Sequence, residues 1–126
     1  MKRDISSRED LHLIVSDFYK DLLQNKELNH FFTEFRDESK LKAHLEILVN
    51  FWDNTLFYSG SYSKNAIKPH IKIHFDKAIS ASNFENWLRL FNKAVDENFQ
   101  GQNADTIKTR ALSIATVMKI KLNIFK

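Results

Sequence analysis

Two histidines, His70 and His74, stand four residues apart and are the side chains of this sequence best suited to chemistry. On a helix this spacing places both imidazole rings on one face, together with Ile67, Ile71 and Phe75 at the same period. An imidazole can coordinate a metal ion or act as an acid or base near neutral pH. The pair could supply two metal ligands, two catalytic bases, a solvated surface pair, or one ligand with a bystander beside it.

The histidine pair is not part of a recognisable zinc-protease or hydrolase motif. Two histidines at this spacing can share a tetrahedral zinc ion, but the sequence contains neither an HExxH motif nor any cysteine. The remaining zinc ligands would have to come from elsewhere in the chain. The lack of cysteine also argues against disulfides and a cysteine nucleophile. No Gly-x-Ser-x-Gly motif is present, so the sequence does not indicate a serine hydrolase.

Tyr19, His44 and Trp87 are polar side chains on otherwise apolar helical stripes. Burying such a group without a hydrogen-bond partner costs about 1–3 kcal/mol, so each position needs an explanation. Each position alone has an ordinary explanation. Tyr19 could be a boundary tyrosine beside Phe18, His44 a core histidine with a hydrogen-bond partner, and Trp87 a core tryptophan. Taken with one histidine of the pair, they describe an apolar pocket with one strong ligand and several hydrogen-bond donors.

The elements that must position these residues are all helical. Apolar residues recur at helical spacing from end to end, and no segment alternates at period two for long enough to form a strand. Ser6 and Ser7 offer overlapping capping boxes for the first helix. Ser39, Ser82 and Asn103 are predicted to cap later helices. The sequence therefore predicts an all-α protein of about five or six helices.

The composition indicates a core with an unusual amount of aromatic surface. Eleven of the 126 residues are phenylalanine, and aromatic residues make up 13%. Each aromatic ring buries about 150–250 Å², so such a core is either simply well filled or suited to enclose a large, flat, apolar cofactor. The length predicts a single domain over residues 1–126.

Charge patterning bears on partners and location. The net charge of +3 is mildly basic, and Lys64, Lys68, Lys72 and Lys77 gather around the histidine pair. These lysines form either a solvated helix face or a contact for a small anionic ligand, and the sequence shows no recognisable nucleic-acid module. No run approaches a membrane span, and the N-terminus lacks a signal-peptide core, which predicts a cytoplasmic protein with no membrane or nucleic-acid partner.

Five segments, in order, resemble one protein family. They read FYKDLL, HLEILVNFW, GSYSKNAIKPH, NFENWLRLF and TRALSIATVM, and they span roughly residues 7 to 122. These segments are similar to those of the truncated haemoglobins of group III, a bacterial branch of the globins. The resemblance implies a globin-like fold, truncated to a two-over-two helical sandwich.

The resemblance also assigns the histidine pair. It implies that His70 is the proximal haem ligand, since His70 closes the family's Tyr-x-Gly-x-Pro-(apolar)-x-x-His motif, which begins here at Tyr62. Two positions depart from the motif: Lys64 replaces the usual glycine and Ala66 the usual proline. His74, one turn further on, is then a neighbour without coordination.

By the same resemblance, Tyr19, His44 and Trp87 lie on the distal side and face the bound gas. Lys68 or Lys72 could pair with the haem propionates. Aromatic and aliphatic side chains would hold the porphyrin and exclude water, namely Phe18, Phe31, Phe32, Phe35, Leu48, Phe51, Ile67, Ile71 and Phe91.

The function that the resemblance implies is a haem b protein that binds oxygen, nitric oxide or a related small ligand. Several distal donors favour tight retention of oxygen over bulk transport. They suggest that the protein reacts with oxygen, nitric oxide or peroxide, in the manner of a nitric oxide dioxygenase or a peroxidase. An unidentified reductase would supply the electrons. The alternative is a helical interaction module without a cofactor.

Overall fold

The computed structural model describes residues 2–57 and 79–121, and within these ranges every regular element is helical. The four α-helices are α1 (Arg8–Gln24), α2 (Glu38–Phe57), α3 (Ala81–Asn98) and α4 (Gln102–Lys121). Two short 3₁₀ turns, Asn29–Phe31 and Thr33–Arg36, connect α1 to α2. The described ranges contain no strand, so the prediction of an all-α protein is confirmed.

The histidine pair and its neighbours lie outside the described residues. Roles assigned to this segment from the sequence therefore stay predictions. The residues concerned are Lys64, Ile67, Lys68, His70, Ile71, Lys72, His74 and Lys77.

Helix α1 lies at the centre of the packing. It packs against both α2 and α3, while α4 packs against α3 and also contacts α2. Its buried stripe repeats every three or four residues, as an amphipathic helix requires, and Leu11, Val15, Phe18 and Leu22 are all buried as predicted. The α1–α2 pair thus lies over the α3–α4 pair. Within the described ranges, no helix is both long and apolar enough to cross a membrane.

The helix starts agree with the sequence prediction at α1 and differ from it at α2. Ser7 is the N-cap of α1, and its hydroxyl accepts from the backbone N–H of Asp10. The prediction of Ser39 as the cap of α2 is wrong. The carboxylate of Asp37 takes this role, since its Oδ1 accepts from the backbone N–H groups of Ser39 and Lys40 at 2.9 and 3.2 Å. Aspartate is a preferred N-cap residue, and its negative charge is favourable at a helix N-terminus.

The predicted caps of α3 and α4 are also displaced. Helix α3 is capped by Ser80, not Ser82, through a reciprocal capping box with Asn83. Helix α4 is capped from a distant part of the chain rather than by Asn103. The two carboxylate oxygens of Asp4 accept from the backbone N–H groups of Asn103 and Ala104, each at 2.9 Å. This contact ties the N-terminal segment to the turn between α3 and α4.

Gly101 makes the contact with Asp4 possible. Its φ of +149° lies in a region that L side chains rarely adopt. A Cβ atom at this position would lie 2.5 Å from Cγ of Asp4, which is closer than van der Waals contact allows.

We expect Gly101→Ala to lower the free energy of unfolding by about 2–3 kcal/mol, because the strained backbone and the clash with Asp4 add. Gln100→Ala is the matched control, since its side chain is exposed and its backbone N–H would still donate to the Arg3 carbonyl oxygen. Urea unfolding curves measure both variants. A loss below about 0.5 kcal/mol for Gly101→Ala, the usual range of surface substitutions, would contradict the assignment.

Candidate functional site

A buried tyrosine and a half-buried histidine form the polar centre of the site. Tyr19 of α1 is only 1% exposed, and its hydroxyl oxygen lies 2.7 Å from Nε2 of His44 on α2. Burial raises the pKa of the Tyr19 hydroxyl above its ordinary value, and the negative charge of Glu34 raises it further. Tyr19 therefore keeps its proton throughout the physiological pH range and can act as a hydrogen-bond donor.

The direction of this hydrogen bond decides what Tyr19 can do for a ligand. A tyrosine hydroxyl carries one proton, whereas a neutral imidazole either donates or accepts at Nε2, depending on its tautomer. If Nε2 of His44 donates, the Tyr19 proton is available to a third group. If Nε2 accepts, that proton is occupied. His44 thus controls the availability of the Tyr19 donor.

Phenylalanine rings enclose this polar pair. Phe35 stacks on the His44 ring with centroids 4.3 Å apart and an interplanar angle of 18°. Phe35 and Phe32 each present an edge contact to Tyr19, both at 5.9 Å between centroids. The sequence indicates Phe35 only as a wall residue, because nothing in the local pattern shows that its ring would stack on His44. Phe35 restricts the orientation of the imidazole.

Trp87 of α3 joins the same aromatic cluster through Phe18. The Phe18 ring makes edge contacts with Tyr19 at 5.4 Å and with Trp87 at 5.5 Å. Phe91, one turn after Trp87, stacks against it at 6.1 Å and also contacts Phe18 at 5.2 Å. Trp87 is 9% exposed, and its indole Nε1 atom is buried. Tyr19 and Trp87 are thus held on either side of one phenylalanine.

Of the remaining described wall residues, Phe31 is buried in the first 3₁₀ turn and the other two lie on α2. Leu48 and Phe51 follow His44 by four and seven residues, which places them on the same helix face. Both are half-buried and pack against the core. Trp52, which the sequence analysis leaves out of the site, stacks on Phe91 at 5.4 Å and connects this face to α3.

The structure therefore brings most of the predicted site residues into one region. The rings of six of them form a continuous set of contacts: Phe18, Tyr19, Phe32, His44, Trp87 and Phe91. Leu48 and Phe51 lie on α2 as described above, and His70, Ile67 and Ile71 lie outside the described residues. A haem needs extended apolar surface with polar groups confined to where its ligand binds, and the described residues fit this requirement.

Residues 4–121 match the model of the bacterial-like globin family, and the chain belongs to that family. Globins bind haem and a small ligand at its iron, so this is the class of protein that the fold and the site define.

A protein sequence and a solved structure from Campylobacter jejuni are similar to this chain. The group 3 truncated hemoglobin ctb is 25% identical over 118 residues, which cover 92% of this chain and 91% of that protein. The crystal structure of a group III truncated hemoglobin matches with a TM-score of 0.85 at 24% identity, over 97% of this chain and 95% of that one. The globin-like fold and the resemblance to group III are thereby confirmed.

Proposed function

We propose that this chain binds haem b through His70 and retains oxygen, or a related ligand such as nitric oxide, beneath Tyr19, His44 and Trp87. When bound, the haem would supply an iron at which a diatomic gas could bind. The observation that carries the proposal is the Tyr19–His44 hydrogen bond inside a phenylalanine enclosure. Such a pair is costly to bury unless its donors serve a ligand or each other.

The donors stabilise bound oxygen because bound oxygen carries partial negative charge. Trp87 offers its indole N–H, and Tyr19 offers its hydroxyl whenever His44 does not accept that proton. Both groups lie in surroundings where water does not dilute the hydrogen bond. Phe18, Phe32 and other aromatic walls hold the porphyrin and exclude water, and Lys68 or Lys72 pairs with the propionates.

Retention by several donors suits chemistry on oxygen better than its transport. The proposal therefore includes reaction of the retained oxygen with nitric oxide, or handling of peroxide, with electrons from a reductase. It also includes action as a single domain over residues 1–126 and a cytoplasmic location. The chemistry follows from the family resemblance, whereas the single domain and the location follow from the length and the charge and hydropathy pattern. All of these parts stay predictions.

The experiment that tests the proposal is a titration of the purified protein with haem b, followed by oxygen-dissociation kinetics. We expect one haem per chain and oxygen release that is slow relative to carbon monoxide release, because the donors act on the charged ligand. A chain that takes up no haem would support the cofactor-free interaction module instead. Haem uptake with oxygen release unaffected by Trp87→Phe would contradict the proposed role of the donors.

His44 is predicted to act as a gate. Protonation places a positive charge on the imidazole, which water solvates better than the aromatic enclosure does, and histidine side chains in water titrate at about pH 6.5. We expect ligand association to quicken at least about two-fold between neutral and acidic pH, since the ring swings outward more often. Flash photolysis of the carbon monoxide form measures this rate. His44→Leu should remove the pH dependence, and a rate that is flat with pH in the native protein would rule out the gate.

A further inference from the structure

A cluster of polar side chains joins the end of α1 to the start of α3. Oε2 of Glu27 accepts from Nδ2 of Asn83 at 2.7 Å, across 56 residues of sequence. Oδ1 of Asn25, the C-cap of α1, accepts from Nδ2 of Asn86 at 3.2 Å, and Oε1 of Glu27 lies 3.4 Å from the same atom. These four residues, Asn25, Glu27, Asn83 and Asn86, form what we call the polar corner.

Asn83 is the buried member of the polar corner, with 9% of its surface exposed. Its two amide atoms are used differently, because Oδ1 accepts from the backbone N–H of Ser80 at 2.8 Å while Nδ2 donates to Glu27. The amide therefore has one orientation that satisfies both ends. The Glu27 carboxylate also carries the charge that a helix N-terminus attracts. Glu27 thus fixes the first turn of α3 against the end of α1.

Trp87 follows Asn83 by four residues, so the two side chains lie on the same face of α3, one turn apart. The indole meets α1 through its edge contact with Phe18. A shift or rotation of the first turn of α3 would therefore change how the indole sits against α1, where Tyr19 lies. Hydrogen-bond donors act on a ligand only over a narrow range of distance and angle.

We propose that Glu27 is a positioning residue for Trp87. It acts through Asn83 to fix the placement of the indole N–H, and it thereby controls the release of oxygen without touching the ligand. This inference rests on the proposed function only in its second part, since the placement of the indole is a property of the chain itself.

Three variants test the proposal, and indole exchange is measured both in the purified chain and in the haem-loaded, carbon monoxide-bound protein. Glu27→Ala removes the acceptor for Asn83, whereas Glu27→Gln keeps an acceptor oxygen and removes only the charge. Glu85→Ala is the matched control, because Glu85 is an exposed carboxylate near the same helix start and is outside the polar corner. The first readout is the solvent-exchange rate of the Trp87 indole N–H, measured by nuclear magnetic resonance. The second is the ratio of oxygen to carbon monoxide release rates.

We expect Glu27→Ala to speed indole exchange about ten-fold and to raise oxygen release several-fold, with carbon monoxide release changed less than about two-fold. Glu27→Gln should return both readouts to within about two-fold of the native protein, and Glu85→Ala should change neither. Unchanged indole exchange in Glu27→Ala, even with a lower melting temperature, would overturn the proposal by showing a purely structural contact.

The two readouts separate the inference from the proposed function. Faster indole exchange in Glu27→Ala supports the positioning role whatever the ligand. Failure of the proposed function would show in a different variant, as oxygen release that Trp87→Phe leaves unchanged.

Discussion

His70→Ala abolishes stable haem binding, if the haem is held as we propose. The iron takes one strong protein ligand, and the resemblance assigns this role to His70. The aromatic walls alone would leave the haem weakly held, so we expect the haem content of the purified variant to fall at least about ten-fold. Absorbance of the haem per chain, after reconstitution and gel filtration, measures the loss.

His74→Ala provides the matched control, because it removes the same side chain one helical turn away. This variant should retain haem at nearly the native level. Free imidazole should restore a histidine-like spectrum to His70→Ala, since it can enter the space that the side chain leaves. If His74→Ala lost haem and His70→Ala kept it, the assignment within the motif would be wrong by one turn.

Trp87→Phe should raise the oxygen off-rate about ten-fold to a hundred-fold, because a hydrogen bond to a charged acceptor contributes about 1.5–3 kcal/mol. Tyr19→Phe should also raise it, but by less, because the Tyr19 proton is shared with Nε2 of His44 at 2.7 Å. The pair should be non-additive, since the loss of one donor lets the ligand lean toward the other. Stopped-flow displacement of oxygen measures all three variants.

Carbon monoxide release serves as the internal control for these variants. Bound carbon monoxide carries little negative charge, so the loss of a donor should change its release much less than that of oxygen. A cavity left by Trp87→Phe would affect both ligands alike, and the ratio of the two rates removes that contribution. A double variant with an oxygen off-rate within about two-fold of the native rate would contradict the role of both donors.

The sequence was sufficient to predict the buried face of α1 and its start, but not the starts of α2, α3 and α4. The stripe of α1, from Leu11 to Leu22, follows from local spacing and is buried as predicted. The sequence favours Ser82 as the cap of α3, because Glu85 follows it by three residues. Ser80 is the cap in the structure, where its capping-box partner Asn83 also donates to Glu27, which lies 56 residues before Asn83 in the sequence. Contacts of this kind leave no local pattern.

The candidate site was also only partly predictable from local sequence patterns. Tyr19 and His44 could be singled out because polar groups on apolar stripes need partners. Their hydrogen bond to each other depends on how α1 packs against α2, which local spacing does not show. The stacking of Phe35 on His44 likewise depends on tertiary packing. Asp4 is a further example, since a residue near the N-terminus caps the last described helix. Family resemblance supplied the role of His70, which residue spacing left open.

The absorption spectrum of the reduced protein, recorded with and without carbon monoxide, is the most direct test of haem binding through a single histidine. We predict a ferrous spectrum of five-coordinate haem with one histidine ligand, which carbon monoxide converts completely to a six-coordinate form. The same measurement would contradict the account if no haem absorption appeared after reconstitution. It would also do so if the reduced protein were already six-coordinate before the gas was added, because the ligand position would then be closed by the chain itself.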